Sequence, residues 1–142
     1  MSNKILITRF PYESVFSGEE IHTLLLAEKL KEKKYQVSFA GSCSVLLKEF
    51  EKRNFAVSSF WGGKSLVSTK AFCWFVFTFP FIFLSFLQLA YFIKFKWKIN
   101  VVYMLSLNEK FFLTPWLKML NIKIVWVEHA RVGDWLEKNP FL

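Results

Sequence analysis

Between Ala71 and Ile93 the chain runs for 23 residues without a charge, AFCWFVFTFPFIFLSFLQLAYFI, and no other feature limits its folding so strongly. As one helix this run measures about 35 Å, longer than the roughly 30 Å hydrocarbon core of a bilayer. By length alone it is a transmembrane candidate. Three features speak against a span. Lys64 and Lys70 precede the run and Lys94, Lys96 and Lys98 follow it, so the flanking charges give no orientation. Pro80 divides it into halves, each too short to cross. The strand patterns on either side belong to one sheet, and a single span would put them on opposite sides of a membrane. Thr78, Ser85 and Gln88 make a thin polar stripe at helical spacing. The favoured reading is one or two helices packed on a sheet, with the outer Phe face of a hydrophobic segment over 66–98 dipping into a membrane interface. A purely buried core helix and a true span are the alternatives.

The residues around that run alternate between strand and helix patterns. Ile5-Leu6-Ile7 is an all-apolar run suited to a strand buried on both faces. A helix is expected from about Glu19 to Lys34, with Ile21, Leu24, Leu25, Ala27 and Leu30 as its apolar face. Ser17 and Glu20 form an S-x-x-E capping box at its start. Val37 to Ala40 reads as a second strand, Val45 to Arg53 as a helix, and Phe55 to Val57 as a third strand. Ile99 to Met104 and Ile122 to Val127 are β-branched runs around a helical stretch from about Asn108 to Leu120, which Pro115 bends or restarts with Thr114 as cap. This alternation predicts an α/β fold with a doubly wound, mainly parallel, Rossmann-like sheet in the order 3-2-1-4-5. At 142 residues the chain is one domain.

Composition removes several classes of function. With 54% hydrophobic residues the chain is not disordered, and two cysteines, Cys43 and Cys73, cannot build a disulfide scaffold or a zinc ribbon. No metal-ligand spacing exists, since His22 and His129 are the only histidines. The net charge of +8 favours an anionic partner. Nucleic acid is disfavoured, because the lysines are scattered and the aromatics cluster in an uncharged run instead of interleaving with them. No signal peptide is recognisable, so a cytoplasmic chain, peripheral at the inner face of the membrane, is expected.

In an open parallel sheet, ligands bind beyond the carboxyl ends of the strands. The first such loop, Arg9 to Gly18, brings Gly18 to a helix start, where free N–H groups favour phosphate and the backbone allows close approach. It lacks the other glycines of G-x-G-x-x-G, which disfavours a nicotinamide site, and a helix start needing no side chain is the plainer reading. His22, one turn on, faces either the crevice or a packing gap. The stronger signal is the last strand, where apolar residues run directly into Glu128, His129 and Arg131. A neutral imidazole there can exchange a proton or stabilise an oxyanion, and the guanidinium fork suits phosphate. A surface loop after a strand is the alternative.

Ser17-Gly18-Glu19-Glu20-Ile21-His22, then Leu26-Ala27-Glu28-Lys29-Leu30 and Tyr35-Gln36-Val37, resembles the "GG-x-E-x-H … LA … L … GH-x-V" opening of family-4 glycosyltransferases. The strand ending in His129 resembles the later "V-x-x-H" element of the same domain. The resemblance implies half of a GT-B architecture, in which two Rossmann-like domains face across a cleft, and retaining transfer of a sugar from a nucleotide-sugar donor. It implies that Gly18 lies near the donor diphosphate, with Ser17 in place of the first glycine, and that His129 is the catalytic residue near the transferred sugar. Glu20 and His22 match positions at the start of the first helix. Together with Ser17, Gly18, Glu128 and Arg131 they are the expected substrate-binding set. No cofactor is expected; the nucleotide sugar is the donor substrate, and the partners are a glycan or lipid-linked acceptor and a complementary donor-domain chain. Residues 1–142 match the acceptor-side, amino-terminal domain, and the donor domain with its E-x7-E motif has no counterpart here. The expectation is therefore an incomplete glycosyltransferase, inactive alone. A non-catalytic, membrane-associated Rossmann-like module is the alternative.

Overall fold

The computed structural model describes residues 3–10, 18–62 and 69–127, with the side chains of 69–76 outside the description. Five strands, β1 (Lys4–Arg9), β2 (Gln36–Gly41), β3 (Ala56–Ser59), β4 (Val101–Met104) and β5 (Lys123–Trp126), form one sheet in the order β3-β2-β1-β4-β5. Every adjacent pair is parallel. The fold class and strand order therefore agree with the alternation read from sequence. Five helices connect the strands: α1 (Gly18–Glu32), α2 (Ser44–Lys52), α3 (Thr69–Tyr91), α4 (Leu107–Phe112) and α5 (Thr114–Met119).

Side-chain alternation along the central strands builds a core on each face. Leu6, Val102 and Met104 point toward α3 and α5, where they meet Ile82, Phe86, Leu89, Ala90, Ile93, Leu113 and Leu117. Ile7 and Phe39 point the other way, onto Leu24 and Ala27 of α1 and Leu46 and Phe50 of α2.

The helix-to-strand joins share one device. Lys34, Asn54, Lys98 and Asn121 all adopt left-handed backbone, with φ of 66°, 56°, 54° and 58°. The next residue in each case is apolar and donates its N–H back into the helix: Tyr35 to Leu30, Phe55 to Phe50, Ile99 to Ile93 and Ile122 to Leu117. This is the Schellman pattern, with a hydrophobic residue closing the helix and opening the strand. Lysine and asparagine hold a position that glycine would occupy with less strain.

Three local expectations are corrected. α1 does not bury Ile21 and Leu25, which are 46% and 52% exposed; its inner face is Glu20, Thr23, Leu24 and Ala27. The inner face is turned because Glu20 is drawn in by Arg9 at the end of β1. Thr114 is not a cap: α5 is capped by Leu113, and the Thr114 hydroxyl accepts from Trp126 Nε1 at 3.3 Å. Finally, Pro80 does not divide the uncharged run. α3 continues through it for 23 residues and ends in a π-helical turn at Phe92–Lys96. The segment Phe77–Lys96 is long and apolar enough to cross a membrane by length and composition, and 28% of its most apolar stretch is buried.

Candidate functional site

The chain leaves β1 toward β2 on one side and later returns to β4 on the other, so the switch in winding falls between β1 and β4. A crevice at the carboxyl ends of these two strands is where an open α/β sheet takes its ligands. Its floor is built by Glu109. Glu109 Oε1 accepts from the backbone N–H of Leu105 and Ser106, each at 2.9 Å, and from Thr8 Oγ1 at 3.3 Å. Its Oε2 accepts from Phe10 N–H at 3.0 Å, and Ser106 Oγ accepts from the same group at 3.0 Å. One carboxyl group thus ties the end of β1 to the loop after β4.

Two neighbours extend the bracing. Asn108 Nδ2 donates to the Gly62 carbonyl beyond β3 at 3.3 Å, and Lys110 Nζ donates to the Val127 carbonyl beyond β5 at 2.8 Å. Three consecutive buried polar residues on the first turn of α4 therefore join the segments that leave β1, β3, β4 and β5. Burial pushes the Glu109 carboxyl up to about 8, against the opposing effect of the N–H groups of Ser106, Leu105 and Phe10.

On the other side of the crevice Arg9 ends β1 and is paired with Glu19 and with the buried Glu20, the latter at 3.0 Å. One guanidinium thus offsets part of the negative charge of the first turn of α1 and ties that turn to the end of β1. Gly18 opens α1, and a Cβ placed there meets nothing within 4 Å. Packing against the described residues does not require glycine at this position.

Among the expected site residues, Gly18 lies at the crevice, Glu20 is buried on Arg9, and His22 is exposed on α1. Glu20 and His22 are two residues apart and so face different sides of the helix. Ser17, Glu128, His129 and Arg131 lie outside the described residues, although β5 carries the chain to Val127 at the same sheet edge. Sequence reasoning missed Asn108, Glu109 and Lys110. The signal was present: Ser106-Leu-Asn-Glu109 after an apolar strand is an S-x-x-E pattern of the kind noticed at Ser17.

A cavity of about 400 Å³ lies elsewhere, lined by Lys4, Gln36, Ser38, Trp97 and Ile99 at the amino-terminal half of the strands. It is remote from the crevice and is not where a parallel sheet presents its loops and helix N-termini.

No protein-family model matches the chain, and no curated protein matches it in sequence. Solved structures do share its fold. MurG of Acinetobacter baumannii superposes with a TM-score of 0.62 at 12% identity, covering 99% of this chain and 40% of that one. A glycosyltransferase from Rickettsia africae ESF-5 gives 0.58 at 20% identity, covering 93% and 32%. The C-terminal domain (residues 78–226) of PF1911 hydrogenase from Pyrococcus furiosus gives 0.61 at 11% identity, covering 89% and 91%. The chain therefore has a Rossmann-like α/β fold and spans about a third to two fifths of the length of MurG and of the Rickettsia glycosyltransferase.

Proposed function

We propose that this chain is the acceptor-side domain of a retaining, family-4 glycosyltransferase that moves a sugar from a nucleotide-sugar donor to a glycan or lipid-linked acceptor. The observation that carries the reading is the crevice between β1 and β4, with α1 opening at an unobstructed Gly18 beside it. The N–H groups of that first turn have no helical partners and suit a diphosphate. The ion pairs of Arg9 with Glu19 and Glu20 reduce the repulsion that the two carboxylates would exert on the anion. Glu128, His129 and Arg131 follow β5 in sequence, outside the described residues. In this reading His129 works beside the transferred sugar, Arg131 holds phosphate, and Ser17, Glu20 and His22 shape the loop. The nucleotide sugar is a substrate, and no cofactor is invoked.

One sheet supplies one wall of such a cleft, so turnover needs a donor-binding domain facing it. The test is transfer of labelled sugar from a panel of nucleotide sugars to a membrane-lipid extract by the complete gene product. His129→Ala should lower kcat by about 10²-fold or more, the usual loss for one positioned proton-transfer or oxyanion group, with an unchanged melting temperature. Neither transfer nor nucleotide-sugar binding by well-folded protein would overturn the reading.

A further inference from the structure

α3 is longer than the sheet it covers. Twenty-three helical residues reach about 35 Å, whereas strands of four to six residues reach about 13–20 Å. The chain enters α3 from the carboxyl end of β3 and returns to the amino end of β4, so the excess rises past the crevice edge. Two contacts fix the level. Ser85 Oγ donates to the Trp61 carbonyl beyond β3 at 2.6 Å, and the Phe86 ring meets Phe10 beyond β1 with centroids 5.2 Å apart. The turns of α3 before Ile82 extend past this level, with Phe79 packed on Phe112 and Phe83 on Trp116.

From Phe77 onward the outer face of the helix is apolar and uncovered. Phe77, Phe81, Leu84, Tyr91 and Phe95 follow one another at spacings of three, four and seven and are 57–83% exposed. Its inner face is committed: Ile82, Phe86, Leu89, Ala90 and Ile93 are fully buried in the sheet core. A helix so held cannot leave the domain to span a bilayer. Charge is divided the same way. Between Arg53 and Glu128 the sole acidic residue is the buried Glu109, against eight lysines, whereas α1 and α2 on the other face of the sheet, with the turns that follow them, carry six Glu against seven Lys and Arg and are close to balanced. Lys94, Lys96, Lys98, Lys118 and Lys123 are exposed on the α3 side and its lower edge.

We propose that the outer stripe of α3 lies in the plane of an anionic bilayer surface, Phe77, Phe81 and Leu84 entering the acyl boundary and the lysines meeting acidic headgroups. Apolar burial and headgroup attraction together are what interfacial helices require. The surface stands whether or not the chain transfers sugars. One consequence does rest on the sugar-transfer reading: an acceptor anchored in the same bilayer presents its head to the crevice beside the overhang.

The test is flotation of the full chain with vesicles of phosphatidylcholine, alone or mixed with phosphatidylglycerol. Two folded variants run beside it: Phe77→Ser, Phe81→Ser and Leu84→Ser combined, and Lys96→Gln, Lys98→Gln and Lys118→Gln combined. The wild type should float with the anionic vesicles and come off in high salt or alkaline carbonate. Each variant should bind at least about tenfold less. A folded wild type that floats with neither vesicle, or one that resists carbonate as a spanning protein does, overturns the proposal. So does a variant that floats like the wild type. Dimers that the Phe variant dissolves, without any vesicle binding, would assign the stripe to a second copy of the chain instead.

Discussion

At the scale of single residues, Glu109 is the group whose state most affects the crevice. It is fully buried among one hydroxyl and three backbone N–H donors, and its affinity for a proton is raised to about 8 from the ordinary 4.5. Below pH 4.5 both folded and unfolded forms are protonated. Between 4.5 and 8 the unfolded carboxyl ionises first, so the unfolded state binds fewer protons and stability falls as pH rises. Urea midpoints should decline from pH 5 to about pH 8 and level off only above it, and Glu109→Gln should flatten the slope. A midpoint that rises over this range would mean that the donated hydrogen bonds outweigh burial. Two glycines give a second, opposed pair. A Cβ at Gly41 would sit 2.2 Å from the Arg9 carbonyl oxygen, so Gly41→Ala should cost about 1–3 kcal/mol as overpacking does. Gly18→Ala meets open space and should leave the melting temperature within a degree or two of the wild type. If Gly18→Ala instead weakens nucleotide binding, the glycine serves a ligand and not the helix.

At the scale of elements, the two faces of α3 make different demands. Phe86 is buried between Phe10 and Phe112, with centroids 5.2 and 5.6 Å away, so Phe86→Ala should cost about 3–5 kcal/mol. Phe81→Ser, on the exposed stripe, should change stability by less than about 0.5 kcal/mol. Thermal or urea unfolding of the two variants separates a core helix with one bare face from a helix buried all round. Element identity was legible because strands and helices have different apolar periods. Element orientation was less so. The apolar spacing of α1 favours Ile21 and Leu25 as the inner face, but the pull of Arg9 on Glu20 turns the helix, and no periodicity contains a contact between residues 9 and 20. Pro80 misled for a related reason: proline removes one helical bond and crowds the preceding turn, yet contacts of Phe79 and Phe83 with α4 and α5 hold the helix on both sides of it.

At the scale of the whole molecule, strand order was legible because alternating elements with short joins leave few topologies for a parallel sheet. The bracing of the crevice was not, because Asn108, Glu109 and Lys110 look like an ordinary helix start until the partners from four strand ends are seen together. The division of the molecule into a basic, apolar side and a side of balanced charge likewise needs the sheet to sort one set of helices from the other. The central claim is that the carboxyl edge between β1 and β4 is the ligand site. Its most direct test is amide chemical-shift mapping of the isotope-labelled chain during titration with nucleoside diphosphates. The account predicts shifts concentrated at Gly18, Glu19 and Glu20 and at Glu128 to Arg131, with Gly18→Ala reducing them. Shifts gathered instead around Lys4, Gln36 and Trp97, at the opposite end of the strands, would contradict it.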